Sequence, residues 1–413
     1  MQAEIQINNS TNATARYVGW APSPCRVRIT NPAGAPAVQL QVRLGAHTKA
    51  GGGAVAFAAQ AGGPYSPTLT VTVPVNGQSV SFFTQGVFGR PSSDDGDVTI
   101  EARVRAAPSS GNFRLLGSAP VMVRIRKNAN NLTTGERTRL VAAFAQLNNQ
   151  GLGRFADFRE MHVNQSSAEA HGRPGFLPWH RAYLLDLERE LQAVDPSVVL
   201  PYWRFDQPAP NLFTLDYLGV SDALGNVQLS ATNPLQFWRT DNVPGIVRRP
   251  LFNTGQAPPG LRTEAQTLAL GALYASFRTL EGNPHGSAHT SFGGFISSIG
   301  TAARDPLFFL LHCNVDRLWA KWQRQNNRFD TTVAAAYDTN NPGNKTGHNL
   351  ADTMWPWNGI TTGDRPPFAP GGALAPSPLV SAPGPQPRVR DCFDYQGAVT
   401  QVACLGFDYD DVG

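Results

Sequence analysis

The sequence predicts a multidomain α+β protein, with an all-β sandwich at the N-terminus and a mainly α-helical core after it. The first observation is length, because 413 residues exceed the size of one ordinary domain. The second is a change from strand-like to helical patterning near Asn128. The third is composition: 41% of the residues are hydrophobic, and 40 glycines and 33 prolines indicate many turns and long ordered loops. We expect domains at 1–128 and 129–330, and a wrapping loop with short strands at 331–413 that belongs to the core domain.

Residues 1–128 show the alternation of half-buried antiparallel strands. Apolar side chains occupy every second position in Leu69–Val75, Val98–Val104 and Val121–Ile125. Clusters of Gly, Pro, Asn and Asp separate such stretches at intervals of about ten residues. This spacing is typical of a sandwich of about seven strands.

Helix signals follow. Thr133 and Glu136 have the spacing of a capping box, and Asp305 before Pro306 marks another helix start. We expect helices at 155–162, 178–193, 263–280, 284–290 and 305–325. The Pro-, Gly- and Asn-rich stretch 339–388 is typical of an ordered loop around a core, and 390–410 of short strands.

Composition and charge disfavour several functions. Residues 1–128 hold 12 Lys and Arg against 5 Asp and Glu, but these are dispersed and not clustered as in a nucleic-acid site. No apolar run reaches the roughly 18–20 residues of a membrane span. The first ten residues lack a secretory signal, so the location stays open between the cytoplasm and export by another route. Four cysteines make no disulfide scaffold, although Cys392 and Cys404 are able to pair.

Six of the eight histidines fall into two sets of three. The sets are His162, His171 and His180, and then His285, His289 and His312. The other two, His47 and His348, are expected to be ordinary surface or loop residues. In the second set, two histidines four residues apart share one helix face, and the third lies in the helix that starts at Asp305. In the first set, two expected helices and the loop between them each supply one histidine. We therefore expect two three-imidazole metal sites, each held by a pair of helices.

Copper is the metal that this donor set favours. Imidazole suits zinc, copper, iron and nickel. A di-iron bundle would add carboxylates, and a zinc protease would place a glutamate where this chain has Gly286–Ala288. Six neutral imidazoles without an anionic ligand suit both Cu(I) and Cu(II). A single His-x-x-x-His pair would more often be ordinary packing, but two complete sets disfavour that interpretation.

The residues around these histidines resemble the type 3 copper family of tyrosinases, catechol oxidases (polyphenol oxidases) and molluscan haemocyanins. The resemblance covers roughly residues 130–330. It is carried by Met161-His162, His171-Gly172, Phe176–Arg181, Leu200–Trp203, Leu280-Glu281, Pro284-His285, His289, Asp305–Phe309, His312 and Asp316–Trp319. It implies a tyrosinase-like, dicopper four-helix-bundle core. In that core His162, His171 and His180 hold copper A, and His285, His289 and His312 hold copper B.

The resemblance also implies an activity. We expect an oxidoreductase that uses two copper ions and dioxygen to oxidise small o-diphenols to o-quinones; some family members also hydroxylate monophenols. One alternative is a haemocyanin-like oxygen carrier, but those are giant multi-unit chains. Another is an oxidase of o-aminophenols. A third makes the β domain a binding module beside a degenerate copper domain, which six intact ligands disfavour.

Several positions depart from the family pattern. Glu169 replaces the cysteine that many members join to the second copper A histidine, and Leu311 replaces a histidine that many have before the third copper B ligand. Tyrosinases often carry an asparagine directly after the first copper B histidine, which together with a glutamate is thought to hold a water that deprotonates monophenols. Here the glutamate is present as Glu281, our candidate catalytic residue, but the asparagine position is Gly286. We therefore expect diphenol oxidation to exceed monophenol hydroxylation.

Two further expectations concern structural roles. Asp316 lies one turn after His312 and is expected to pair with an arginine. The β region precedes the copper core, whereas plant and fungal relatives usually carry a β domain after it. We interpret this region as structural support for the core.

Overall fold

The N-terminal region is built from two β-sheets. A computed structural model of the chain describes residues 1–30, 38–105, 111–149, 154–163, 166–338, 345–400 and 404–413. Within these residues the strands of the N-terminal region are β1 (Gln2–Ile7), β2 (Tyr17–Val18), β3 (Ser23–Thr30), β4 (Gln39–Thr48), β5 (Val55–Ala58), β6 (Leu69–Pro74), β7 (Val80–Gly86), β8 (Val98–Arg105) and β9 (Phe113–Val123).

The two sheets share one apolar core. The first has the order β1-β3-β7-β5 and is antiparallel; the second has the order β2-β9-β8-β4-β6, with only β2 and β9 parallel. Val27 and Phe82 of the first sheet belong to the same buried cluster as Leu44 and Ile100 of the second. Alternating residues thus point inward, as the period-two pattern predicts.

The predicted strands fall in β6, β8 and the end of β9. The structure has more strands here than the seven or so expected. Strand β2, for example, could not be detected from the sequence because two residues are too few to show an alternation. The expected strand at Val121–Ile125 is the last part of β9, which begins at Phe113.

The second part of the chain is mainly helical. Its α-helices are α1 (Thr134–Asn149), α2 (Arg154–Met161), α3 (Ser167–Ala170), α4 (Phe176–Val194), α5 (Glu264–Leu268), α6 (Tyr274–Phe277), α7 (Ser287–Thr290), α8 (Ile299–Ala302) and α9 (Leu307–Asn326). Three two-stranded ribbons accompany them: β10 (Val220–Ser221) with β11 (Val227–Gln228), β12 (Arg239–Thr240) with β13 (Val243–Pro244), and β14 (Arg248–Pro250) with β15 (Phe292–Gly294).

The predicted helix starts are confirmed. Glu136 Oε2 accepts from the Thr133 backbone N–H at 2.8 Å, and the Glu136 N–H donates to the Thr133 hydroxyl at 3.3 Å. Asp305 Oδ1 accepts from the Leu307 N–H at 2.9 Å, which caps α9. Helices α2, α4 and α9 match their predicted positions to within about two residues, the usual uncertainty of helix ends.

One predicted helix is wrong. The expected helix at 263–280 is divided into α5 and α6, followed by a 3₁₀ turn at Arg278–Glu281. Gly271 interrupts the pattern with φ = +121°, a conformation that no helix contains. The region 284–290 is partly a π-helical turn, Gly282–Gly286, that leads into α7.

The C-terminal stretch contacts both parts of the chain. Within the described residues of 390–410, β-pairing is limited to isolated bridges, among them Gln396 with Cys404 and Arg126 with Tyr409, so the predicted short strands are mostly wrong. Asp408 Oδ2 accepts from the Trp20 N–H of the β region at 2.7 Å. Of the predicted wrapping loop, residues 339–344 lie outside the described part of the chain.

All four cysteines are free thiols, so Cys392 and Cys404 do not pair. Among the described helices, none combines the length and the apolarity needed to cross a membrane.

Candidate metal centre

The structure brings the six predicted histidines into one cluster. The Nε2 atoms of His162 and His171 lie 3.2 Å apart. The Nε2 atom of His312 lies 3.2 Å from that of His285 and 3.1 Å from that of His289. The His180 ring stacks on the His312 ring with 4.3 Å between centroids.

Four helical segments and one loop supply these rings. His162 directly follows α2, His180 lies in α4, and His312 lies in α9. The π-helical turn and α7 supply His285 and His289, whose rings are 4.7 Å apart. The loop between α3 and α4 supplies the remaining histidine. Two groups have ligand atoms within 4.8 Å of one another: His162, His180 and His312, and also His285, His289 and His312. Therefore His312 lies between the two predicted sets.

Backbone carbonyls fix the orientation of four imidazoles. The Nδ1 atom of His180 lies 2.9 Å from the Phe176 oxygen, and those of His285 and His289 lie 2.7 Å from the Glu281 and Ile296 oxygens. The Nδ1 atom of the fourth, His162, lies 3.2 Å from the Ile299 oxygen. Because a carbonyl only accepts, each of these Nδ1 atoms carries the proton and each Nε2 presents a lone pair.

This arrangement fits metal ions. The Nε2 lone pairs of His285 and His289 both face the His312 Nε2 atom, and a single proton on that atom can bond only one of them. The His180 Nε2 atom is buried, and the described residues offer it no hydrogen-bond partner. Buried acceptors that converge in this way are costly unless a cation satisfies them. The donor set, six imidazole nitrogens, suits copper.

The electrostatic environment keeps the histidines neutral. Burial, reinforced by the neighbouring imidazoles, lowers the pKa of His162 to about 3, and burial lowers that of His289 to about 4. Burial is also the main cause that holds the pKa values of His171, His180, His285 and His312 well below the usual range. Neutral rings are the form that binds a metal ion, so little proton release opposes binding.

Aromatic rings enclose the cluster. Phe308 lies 4.3 Å from the His312 ring and 4.6 Å from the His162 ring. Phe176 lies 4.7 Å from His180 and 4.9 Å from His285. Both phenylalanines are completely buried. They restrict the imidazole rotamers and exclude water.

One histidine of each predicted set is partly exposed. His171 and His289 are of intermediate exposure, whereas the other four are at most 5% exposed. Gly172, next to His171, is exposed. The cluster is therefore accessible to solvent beside both predicted sets.

Glu281 connects the two predicted sets. Its Oε1 atom accepts from the Gly172 N–H at 2.5 Å, and its backbone oxygen accepts from His285. Burial raises the pKa of this carboxyl group above its usual value. Thus Glu281 orients the His171 loop, and its predicted catalytic role stays a prediction.

The pairing predicted for Asp316 is confirmed. Its Oδ1 atom accepts from Arg181 Nε at 2.6 Å, and its Oδ2 atom accepts from Arg126 at 3.2 Å and from the Tyr409 hydroxyl at 2.6 Å. Because Arg181 follows His180 and Asp316 follows His312 by one turn, this buried network joins α4 and α9 behind the histidines.

Two residues near the cluster have partners that sequence reasoning missed. Glu169 is 4% exposed; it accepts from Arg365 Nε at 2.8 Å and from the Trp355 N–H at 2.9 Å. His348 lies in a loop, as expected, but is completely buried, and its Nδ1 atom accepts from the Gly175 N–H at 3.0 Å. By contrast, His47 is exposed as predicted. Both missed partners are more than 170 residues away in the sequence, so no local pattern announces them.

The structure also shows the surroundings of the two other positions that depart from the family pattern. Leu311 is completely buried in α9, where it packs in the helical core. Gly286 is of intermediate exposure, and a Cβ atom there would lie 3.3 Å from the Glu281 backbone oxygen.

The fold and the cluster define a class of protein: a helical core with a buried histidine cluster that fits metal ions. Known proteins identify the class further. A sequence profile of the common central domain of tyrosinase matches residues 152–325. Tyrosinase of Streptomyces glaucescens is 35% identical over 274 residues, which cover 58% of this chain and 94% of that protein. Grixazone synthase of Streptomyces griseus is 31% identical, over 50% of this chain and 86% of that protein. The G-type hemocyanin (units Oda to Odg) of Enteroctopus dofleini is 30% identical, over 55% of this chain but only 8% of that protein.

The chain belongs to the tyrosinase family. It is a copper-dependent polyphenol oxidase, and members of this family bind two copper ions. The hemocyanin match is to a protein many times longer, so the oxygen-carrier alternative has less support.

Proposed function

We propose that His162, His171 and His180 hold one copper ion, that His285, His289 and His312 hold the second, and that the pair oxidises o-diphenols in preference to monophenols. The observation that carries the assignment is the convergence of imidazole Nε2 atoms at 3.1–3.2 Å, with the Nδ1 protons of His162, His285 and His289 donated to backbone carbonyls. Bound copper would supply dioxygen reduction and the two-electron oxidation of the substrate. In the net reaction two diphenols lose four electrons and four protons, and one dioxygen becomes two waters.

The protein residues prepare the site for this reaction. Four backbone carbonyls hold the rings with Nε2 inward, and Phe308 and Phe176 keep water away from the cluster. The phenol enters beside the partly exposed His171 and His289. There Glu281, whose pKa burial raises, is placed to take up a phenolic proton through water. An o-aminophenol presents the same two adjacent donor groups and belongs in the same assay.

Oxygen uptake by copper-loaded protein given catechol tests the proposal. We expect sustained uptake with o-quinone formation and two coppers per chain. His312→Ala removes a ligand of the second copper, so copper content should fall to about one per chain and turnover should be lost. His47→Ala removes an exposed histidine outside the cluster and should retain both. Full copper content in His312→Ala would contradict the ligand assignment, whereas full copper without uptake in the wild type would indicate a carrier.

We also infer the domain organisation. Apolar residues from Ile5 to Ile125 form one buried cluster, and those from Ala129 to Val412 form another. This supports a β-sandwich domain at 1–128 and a four-helix-bundle dicopper core at 129–330, to which 331–413 belongs. Truncation at about residue 128 tests this organisation: a helical core that is insoluble without residues 1–128 would indicate that the β domain supports it.

A further inference from the structure

A large cavity lies between the β region and the C-terminal segment. Its volume is about 1160 Å³, enough for a small organic ligand. Tyr17, Trp20 and Phe88 line it from the β region, and Tyr395 and Asp408 line it from the C-terminal segment. None of the six histidines of the candidate metal centre lines it, so it is a separate site.

Arg124 gives this cavity an uncompensated positive charge. Its side chain lines the cavity, is 7% exposed, and lies over the Tyr17 ring at 4.5 Å. It donates to the Pro196 backbone oxygen at 2.6 Å, but within the described residues no carboxylate lies within ion-pair distance. Glu188, the carboxylate that acts on it most strongly, is bound by Arg126 at 2.6 Å.

A buried guanidinium without an acidic partner is unfavourable. Burial lowers the pKa of Arg124 to about 10, which reflects the cost of holding that charge away from water. An anion bound in the cavity would offset this cost. Arg324, at the end of α9, also lines the cavity. Its side chain is exposed and forms no ion pair with any described residue.

The other walls suit an aromatic ring. The Trp20 and Phe88 rings meet edge to face at 5.6 Å, and Phe88 is 52% exposed. The acidic wall residue, Asp408, is already engaged, because its two oxygens accept from the Trp20 N–H at 2.7 Å and from Gln396 at 2.9 Å. The Tyr395 hydroxyl has no hydrogen-bond partner in the part of the chain that the structure describes.

We propose that this cavity binds a small aromatic carboxylate, with the carboxylate facing Arg124 and Arg324 and the ring against Trp20 and Phe88. The ligand would join the β region to the C-terminal segment. Since a carboxylate also coordinates metal ions, the test must separate this cavity from the copper centre.

The probe is 4-fluorobenzoate, observed by ¹⁹F NMR and isothermal titration with the copper-loaded full chain. We expect a bound signal that persists in His312→Ala, the variant that loses the second copper. Arg324→Gln and Arg124→Met should each weaken binding in that background by at least about tenfold, as expected for a lost charge-assisted contact. Phe88→Ala should also weaken it.

Matched controls decide between outcomes. Arg114→Gln removes an exposed arginine of β9 outside the cavity and should leave the affinity within about twofold. The neutral analogue 4-fluorobenzyl alcohol should bind at least about tenfold more weakly. Should Arg124→Met fail to fold, Arg324→Gln and Phe88→Ala still test the site, because both side chains are exposed. Loss of the signal in His312→Ala, equal binding of the neutral analogue, or unchanged affinity in both exposed-residue variants would overturn the proposal.

Discussion

Backbone carbonyls determine which nitrogen four of the six imidazoles present. His180 and His285 use the carbonyl four residues earlier, so the chain segment just before each ring orients it. His162 instead depends on Ile299, 137 residues away. The sequence could therefore predict the six rings, from their spacing and flanking motifs, but not all the contacts that orient them.

At the level of single residues, Gly286→Asn should raise the ratio of monophenol to diphenol activity. A Cβ atom at this position lies 3.3 Å from the Glu281 oxygen, so the side chain fits after a small shift and brings an amide beside the candidate base. We expect a change of about tenfold, equivalent to about 1.4 kcal/mol in activation free energy. Initial rates with tyramine and catechol measure the ratio. Ser287→Asn, one position later, is the control, and an unchanged ratio in Gly286→Asn would contradict the base argument.

At the level of elements, helices with a strongly periodic sequence were predicted well, whereas contacts between residues distant in the sequence were not. Helix α9 was predicted nearly to its ends because its cap and its apolar face are local features. The prediction of one helix at 263–280 was wrong because Gly271 adopts a positive φ. Tertiary contacts determine the shape of the loop that contains it. For the same reason no local pattern revealed that Glu169 binds Arg365.

The Glu169–Arg365 pair fastens the wrapping loop beside the His171 loop. Both side chains are nearly buried, so Arg365→Met should leave an unpaired buried carboxylate and lower the free energy of unfolding by about 3 kcal/mol. The double variant Glu169→Met/Arg365→Met should recover part of this loss. Urea unfolding monitored by tryptophan fluorescence measures both.

The control for this pair lies in the same loop. Lys345→Met breaks an exposed ion pair with Asp364 and should leave stability unchanged within error. If Arg365→Met is as stable as Lys345→Met, the loop is held by other contacts.

At the level of the whole molecule, Arg126 couples the two parts of the chain. Fully buried, it binds Glu188 and Asp316 of the helical core and lies 3.9 Å from the centre of the Phe407 ring. Arg126→Met should therefore cost about 3–5 kcal/mol, because two buried carboxylates lose a partner. Arg28→Met, which breaks an exposed pair within the β region, should leave the melting temperature unchanged. Equal melting temperatures for the two variants would mean that the β region contributes little to the stability of the core.

Asp408 should make the stability of the interface depend on pH. Burial raises its pKa from 3.8 to about 6 in the folded protein, so the folded state binds more protons than the unfolded state between these values. Stability should therefore fall as pH rises from about 4 to 6, by about 3 kcal/mol. The difference in unfolding free energy between wild type and Asp408→Asn should change by this amount, with the wild type favoured at low pH. A constant difference across pH 4–7 would show that the carboxyl titrates normally.

The change of pattern near Asn128 predicted the division of the chain, but not the contacts that cross it. The bridge between Arg126 and Tyr409 joins residues 283 positions apart, and the sequence around each residue contains no sign of the other. The nine-stranded region was likewise underestimated, because two-residue strands such as β2 depend on their neighbours.

The position of Phe407–Asp411 along the chain has a consequence for biosynthesis. The β region emerges from the ribosome first and can bury its own apolar cluster early. Arg126 then awaits Tyr409, which is translated 283 residues later. The copper core therefore closes only after Tyr409 has been synthesised, and until then Asp316 of α9 lacks its contact with the Tyr409 hydroxyl. A chaperone that protects the chain between the synthesis of Arg126 and that of Tyr409 should raise the yield of this protein.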